Sequence, residues 1–166
     1  EMSDEFEWDD VDFSSLEDPT ADAIGSLVVN FAYFNSCLDG AASSFMSLNI
    51  EQAKALIVPL QPREKVKIIR GFANAHLNDE RKNKVKSVTK RCDELISYRN
   101  AVLHSHMVRR TEKGPVELYD YSGSGRFNPK VRELPAEEVA HNAVHALLLG
   151  KEVQELGIEN EKLKSK

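Results

Sequence analysis

From Ile24 onward, apolar residues recur at steps of three and four: Leu27, Val28, Phe31, Phe34, Leu38, Ala41, Ala42, Phe45 and Met46. A stripe of this length gathers on one face only if the chain is helical, since a strand would scatter the same residues over two faces. It must also be covered by other apolar surface, so a helical bundle is the natural solution. Asp18-Pro19-Thr20 supplies the start, with Asp18 or Thr20 as N-cap and proline in the first turn, and the pattern runs to about Leu48.

The rest of the chain continues the theme. Asn49 caps a short helix over 50–58, Pro59 and Pro62 interrupt the chain, and 63–77 forms another helix with Val66, Ile69, Phe72 and Ala73 inward. Asn78-Asp79 caps a fourth, long helix striped by Val85, Val88, Cys92, Leu95, Ile96, Val102 and Leu103. After Met107 the period falls to two, with Val108 to Thr111 and Val116 to Tyr121 flanking a turn at Lys113-Gly114-Pro115. Ser122-Gly123-Ser124-Gly125 is a loop with no phosphate-loop frame, Phe127 to Leu134 offers a third short strand, and Pro135 opens a last helix through Leu148. The expected fold is mainly α: an antiparallel bundle of four to five helices with a small β-hairpin before the last one. Its parts are an acidic flexible arm at 1–18, a bundle domain at 19–158 with a β insertion at about 108–134, and a charged, fraying tail at 159–166.

Composition narrows the class. With 41% hydrophobic and 30% charged residues in 166, the chain has the make-up of a soluble globular domain, and no window is apolar enough for a membrane span. No metal or cofactor is called for. Glu1 ahead of Met2 reads as a cloning remnant, and Cys37 and Cys92 read as reduced thiols in a cytoplasmic protein. The net charge of −5 hides a division: residues 1–18 hold nine acids and no Lys or Arg, whereas 63–110 holds thirteen Lys/Arg against five Asp/Glu. A basic segment beside an acidic arm suits a phosphate-bearing partner, with the arm masking the patch. Lys82, Lys84, Lys86, Lys90 and Arg91 are the candidate contacts to an RNA backbone, against the plainer role of a solvated helix face.

One position breaks the fourth stripe. Counting about 100° per residue from Val85 places Arg99 near the middle of the apolar face, and the same count puts Asn35 mid-stripe and Asp39 at the stripe's edge in the first helix. A lone buried guanidinium costs several kcal/mol, so Arg99 must be paired, interfacial or in a cleft, and contact with Asn35 or Asp39 is expected. Asn100 and His104 share another face, with His104 about 140° round from Arg99. The two converge on one ligand through the long arginine side chain, a tightened last turn, or a second copy across a dimer axis.

Arg99-Asn100-Ala101-Val102-Leu103-His104 resembles the R-x(4–6)-H motif of HEPN domains, in which a polar residue follows the arginine. The surroundings are similar as well: a long first helix, a helix ending in the motif, a short β insertion and a closing helix, together covering roughly residues 21–156. The resemblance implies an α-helical homodimer that cleaves RNA without a metal, of toxin–antitoxin or defence type, with an antitoxin as a further partner. Arg99 then holds the scissile phosphate, His104 acts as general base or acid, and Asn100 orients one of them. Asn35 stands where similar proteins often place an acid.

Each assignment has a plainer counterpart. Arg99 and His104 are equally well a structural helix-end arginine and a capping histidine in a non-catalytic interaction or regulatory module with the same fold. His106 reads as packed, His141 and His145 as a surface pair without a third metal ligand, and Tyr119 and Tyr121 as residues packed on the bundle instead of stacked on bases.

Overall fold

A computed structural model describes residues 19–109, 116–120 and 130–164. The acidic arm, the turn at 113–115, Tyr121 and the glycine-serine loop lie outside the described residues. Among the described residues five helices, α1 (Pro19–Met46), α2 (Ile50–Leu56), α3 (Pro62–His76), α4 (Asp79–His104) and α5 (Ala136–Lys164), enclose the core. Three short strands among the same residues, β1 (His106–Arg109), β2 (Val116–Asp120) and β3 (Lys130–Glu133), form an antiparallel meander before α5. The mainly α bundle with its small sheet is as expected from periodicity. Among the described residues, no helix is long and apolar enough to cross a membrane.

Local chemistry sets the helix ends. Pro19 opens α1, so Thr20 lies within the helix and does not cap it. At the other end Ser47 adopts a left-handed φ of 58°, while Ser47 N–H reaches Ser44 O and Leu48 N–H reaches Ser43 O at 3.1 and 3.0 Å. This pair of bonds satisfies carbonyls that the helix end would otherwise leave free. Asn49 caps α2 in a reciprocal box with Gln52, Pro62 occupies the first turn of α3, and Asn78 accepts from Arg81 N–H at 3.1 Å to start α4.

Along α1 and α5 the contacts advance together, so these two helices run parallel. Asn30 donates to Ala143 O at 2.9 Å near one end, and Ser44 donates to Gly157 O at 2.8 Å near the other. This contact is close because α5 carries glycine where it meets α1: a Cβ on Gly157 would stand 3.1 Å from Ala41 Cα, and one on Gly150 would stand 3.3 Å from Phe34 Cα. Two buried clusters result. The larger joins Phe34, Leu38 and Phe45 of α1 to Ile69, Leu95, Leu149 and Val153, and the smaller joins Ala23 and Leu27 to Val102, Leu134 and Val139. Cys37 and Cys92 are both buried free thiols, and burial pushes Cys92 up to about 12.

The charged tail is a correction. Where a fraying tail is expected after Gly157, α5 continues to Lys164, Asn160 is buried, and its amide donates to Ser44 O at 3.0 Å. Lys84 of α4 adds a two-pronged ion pair with Glu159 at 2.7 and 2.9 Å. Glycine here serves close packing and not helix termination, a distinction that depends on a neighbour 116 residues away.

Candidate functional site

Arg99 sits half-buried near the end of α4, as its place on the apolar stripe requires. Its guanidinium carbon lies 5.1 Å from the centre of the Phe31 ring on α1, and Nη1 donates to Asn100 Oδ1 at 3.1 Å. A cation over an aromatic face recovers part of the solvation lost on burial. Nε is buried without a hydrogen-bond partner. Among the described residues no carboxylate pairs with this arginine.

The expected contact from Asn35 or Asp39 to Arg99 is not formed. Both are held instead by Lys65 of α3, a fully buried lysine whose Nζ lies 3.0 Å from Asn35 Oδ1 and 2.5 Å from Asp39 Oδ1. Lys65 went unnoticed in the sequence although the signal is present, since it precedes Ile69 by four residues and Phe72 by seven and so shares their stripe. A buried ammonium is tolerable only with a counter-charge and hydrogen bonds, and α1 provides both one turn apart.

Asn35 and Arg99 nevertheless share a groove of about 490 Å³ between α1, α3 and α4. Its polar lining is Asn35, Gln61, Arg63, Arg99 and Asn100, over apolar surface from Val28, Phe31 and Ile96. Arg63 donates through Nη2 to Ser97 Oγ at 2.8 Å, and it too has no carboxylate partner among the described residues. The amide oxygens of Asn35 and Asn100 are each taken by a cation, Lys65 and Arg99 respectively. Both amides keep their N–H2 donors, so two guanidinium groups without carboxylate partners among the described residues and two amides give the groove a donor-rich, cationic lining.

His104 ends α4, is exposed, and does not line this groove. The wheel angle between it and Arg99 anticipates that separation. Beside it the sheet is anchored to the bundle: Arg132 of β3 lies 5.6 Å from the Tyr98 ring and donates to Glu138 at 2.9 Å. Burial, with Glu138 adding to it, pushes the Tyr98 hydroxyl up to about 12. Leu134 N–H caps the arrangement by reaching Val116 O at 2.7 Å. The side chain of His106 lies outside the described residues, and Tyr119 donates to Glu117 at 3.0 Å.

The basic segment of α4 is largely engaged within the molecule. Lys84 pairs with Glu159, Arg91 forms a fork with Glu152 whose Nη1 arm measures 2.8 Å, and Lys82 and Lys90 lie 3.8 Å from Asp79 and Glu94. Lys86 is exposed. The Arg91 hydrogen bond holds Glu152 below the ordinary carboxylate value, and burial followed by the charges of Arg91 and His141 lowers His145. Lys84 and Arg91 therefore fasten α4 to α5. Set against protein-family models, curated proteins and solved structures, the chain matches none of them.

Proposed function

We propose that the groove between α1, α3 and α4 binds the phosphodiester backbone of RNA, and that the chain acts as a metal-independent ribonuclease of the HEPN type. The observation that supports this reading best is the polarity of the lining: Arg63 and Arg99 without carboxylate partners among the described residues, beside two amides whose oxygens are already taken. Such a surface suits an anion, and a planar guanidinium suits the paired oxygens of a phosphate.

In this reading Arg99 holds the non-bridging oxygens and stabilises the charge that builds on phosphorus. The imidazole of His104 takes the proton from a ribose 2′-hydroxyl, whose oxygen bonds to phosphorus as the bond to the 5′-oxygen breaks. The leaving 5′-oxygen takes a proton from solvent water, the imidazolium returns its own to solvent, and the products are a 2′,3′-cyclic phosphate and a 5′-hydroxyl. Because His104 lies outside its own groove, the imidazole comes from the second subunit of a homodimer, in which each copy offers the same patch. That arrangement fits a toxin–antitoxin or defence enzyme held in check by a protein partner in the cytoplasm.

The same position of His104 favours a second reading, a bundle that binds RNA or protein without cutting it. Incubation with single-stranded and structured RNA in EDTA separates the two. The ribonuclease yields cyclic phosphate ends that His104→Ala abolishes while the melting temperature stays within a few degrees. Binding without cleavage supports the second reading, and absence of both binding and cleavage refutes the ribonuclease and any RNA-binding role.

A further inference from the structure

Lys65 is a charged side chain with no exposed surface that does not line the groove itself but bonds to Asn35, which does. We infer that Lys65 is a positioning residue: fixed by Asp39, it locks the amide of Asn35 with its oxygen inward and its N–H2 toward the groove, and so makes the groove selective for anions. The inference rests on the anion-binding reading of the groove.

An asparagine amide fits its site equally well in two orientations related by a half-turn, and only its hydrogen-bond partners choose between them. Here the ammonium of Lys65 stands 3.0 Å from Oδ1. After a half-turn the same ammonium would face N–H2, donor against donor, with a buried charge left short of an acceptor. The orientation is thus set by a group that never touches the ligand. Asp39, at 2.5 Å from Nζ, supplies the counter-charge that allows a lysine to sit at full burial. The relay runs from Asp39 through Lys65 and Asn35 into the lining shared with Arg99.

The probe is inorganic phosphate, titrated into nitrogen-15-labelled protein and followed by NMR at the Asn35 side-chain amide, with Arg99→Ala as reference. The expected wild-type result is a saturating shift of that amide. The double variant Lys65→Met with Asp39→Asn leaves net charge unchanged and removes the orienting ammonium. Its affinity for phosphate falls by about tenfold, the loss typical of one charge-assisted hydrogen bond, and Lys65→Arg retains affinity. A folded double variant that binds phosphate like wild type overturns the role of Lys65, while a loss in Arg99→Ala alone still upholds the groove. Should the double variant not fold, Asn35→Asp keeps a partner for Lys65 and puts a carboxylate oxygen where the N–H2 was; undiminished phosphate binding there also overturns the inference. Phosphate bound with no affinity for RNA removes the ribonuclease reading and leaves Lys65 in its role.

Discussion

Replacing Arg99 by alanine separates a site arginine from a structural one, because the two roles predict opposite balances of stability and binding. The structure gives the side chain one aromatic contact, to Phe31 at 5.1 Å, and one hydrogen bond, to the neighbouring Asn100. A cation–π contact at a half-buried site contributes about 0.5–2 kcal/mol, and a hydrogen bond donated by a charged group about 1.5–3 kcal/mol. Against these stands the buried Nε, which has no acceptor and whose removal relieves a cost. The net loss is about 1–2 kcal/mol, equivalent to a fall of about 2–8 °C in Tm for a chain of this size. An arginine locked into a buried charge network would cost about 3–5 kcal/mol instead. Urea unfolding followed by far-ultraviolet circular dichroism measures the first quantity. Fluorescence anisotropy with a labelled RNA at fixed low salt measures the second, where loss of a charge-assisted phosphate contact weakens affinity by about 10- to 100-fold. A variant destabilised by more than 3 kcal/mol that binds RNA as well as wild type would refute the reasoning and make Arg99 a structural residue.

Three further outcomes follow from the packing of α5. Gly157→Leu forces a branched side chain against Ala41 Cα, only 3.1 Å from where the new Cβ would stand, and lowers stability by about 1–3 kcal/mol in the same urea assay. Asn160→Ala removes the donor to Ser44 O and costs about 1–2 kcal/mol, whereas a fraying tail would show no change. Glu152→Gln flattens the acid side of the stability profile. Because Arg91 lowers the native Glu152 value, its stabilisation is present above the ordinary value of 4.5 and is lost as pH falls below it, so wild type and variant converge in acid.

Much of the fold is legible from residue order alone, and the reason is visible in particular elements. Leu27, Phe31, Phe34 and Leu38 are all buried on α1, and Val85, Val88, Cys92 and Leu95 on α4, because a 3.6-residue period leaves a single face to cover. Asn49 and Asn78 cap helices through bonds to residues three positions on, a purely local chemistry. The site is less legible. Arg99 stands out in the sequence as a cation on an apolar stripe, and the structure places it in a groove with Asn35 and Asn100. The partner of Asn35 does not stand out, since the lysine that claims it lies on α3, 30 residues away. Composition likewise marks Lys84 and Arg91 as basic but carries no record of Glu159 and Glu152, which meet them across 75 and 61 residues.

What this sequence determines by itself is whatever depends on near neighbours: helical periods, caps, the change to a two-residue period within β1, and the wheel angle that parts His104 from Arg99. What only the tertiary structure decides is which charges find each other, because hydrogen-bond energies fall away within a few ångströms, Coulomb energies weaken with separation, and both register distance in space, not along the chain. Hence Gly157 is a contact and not a stop, and the polar residues of α1 answer to a lysine on α3 instead of the arginine on α4.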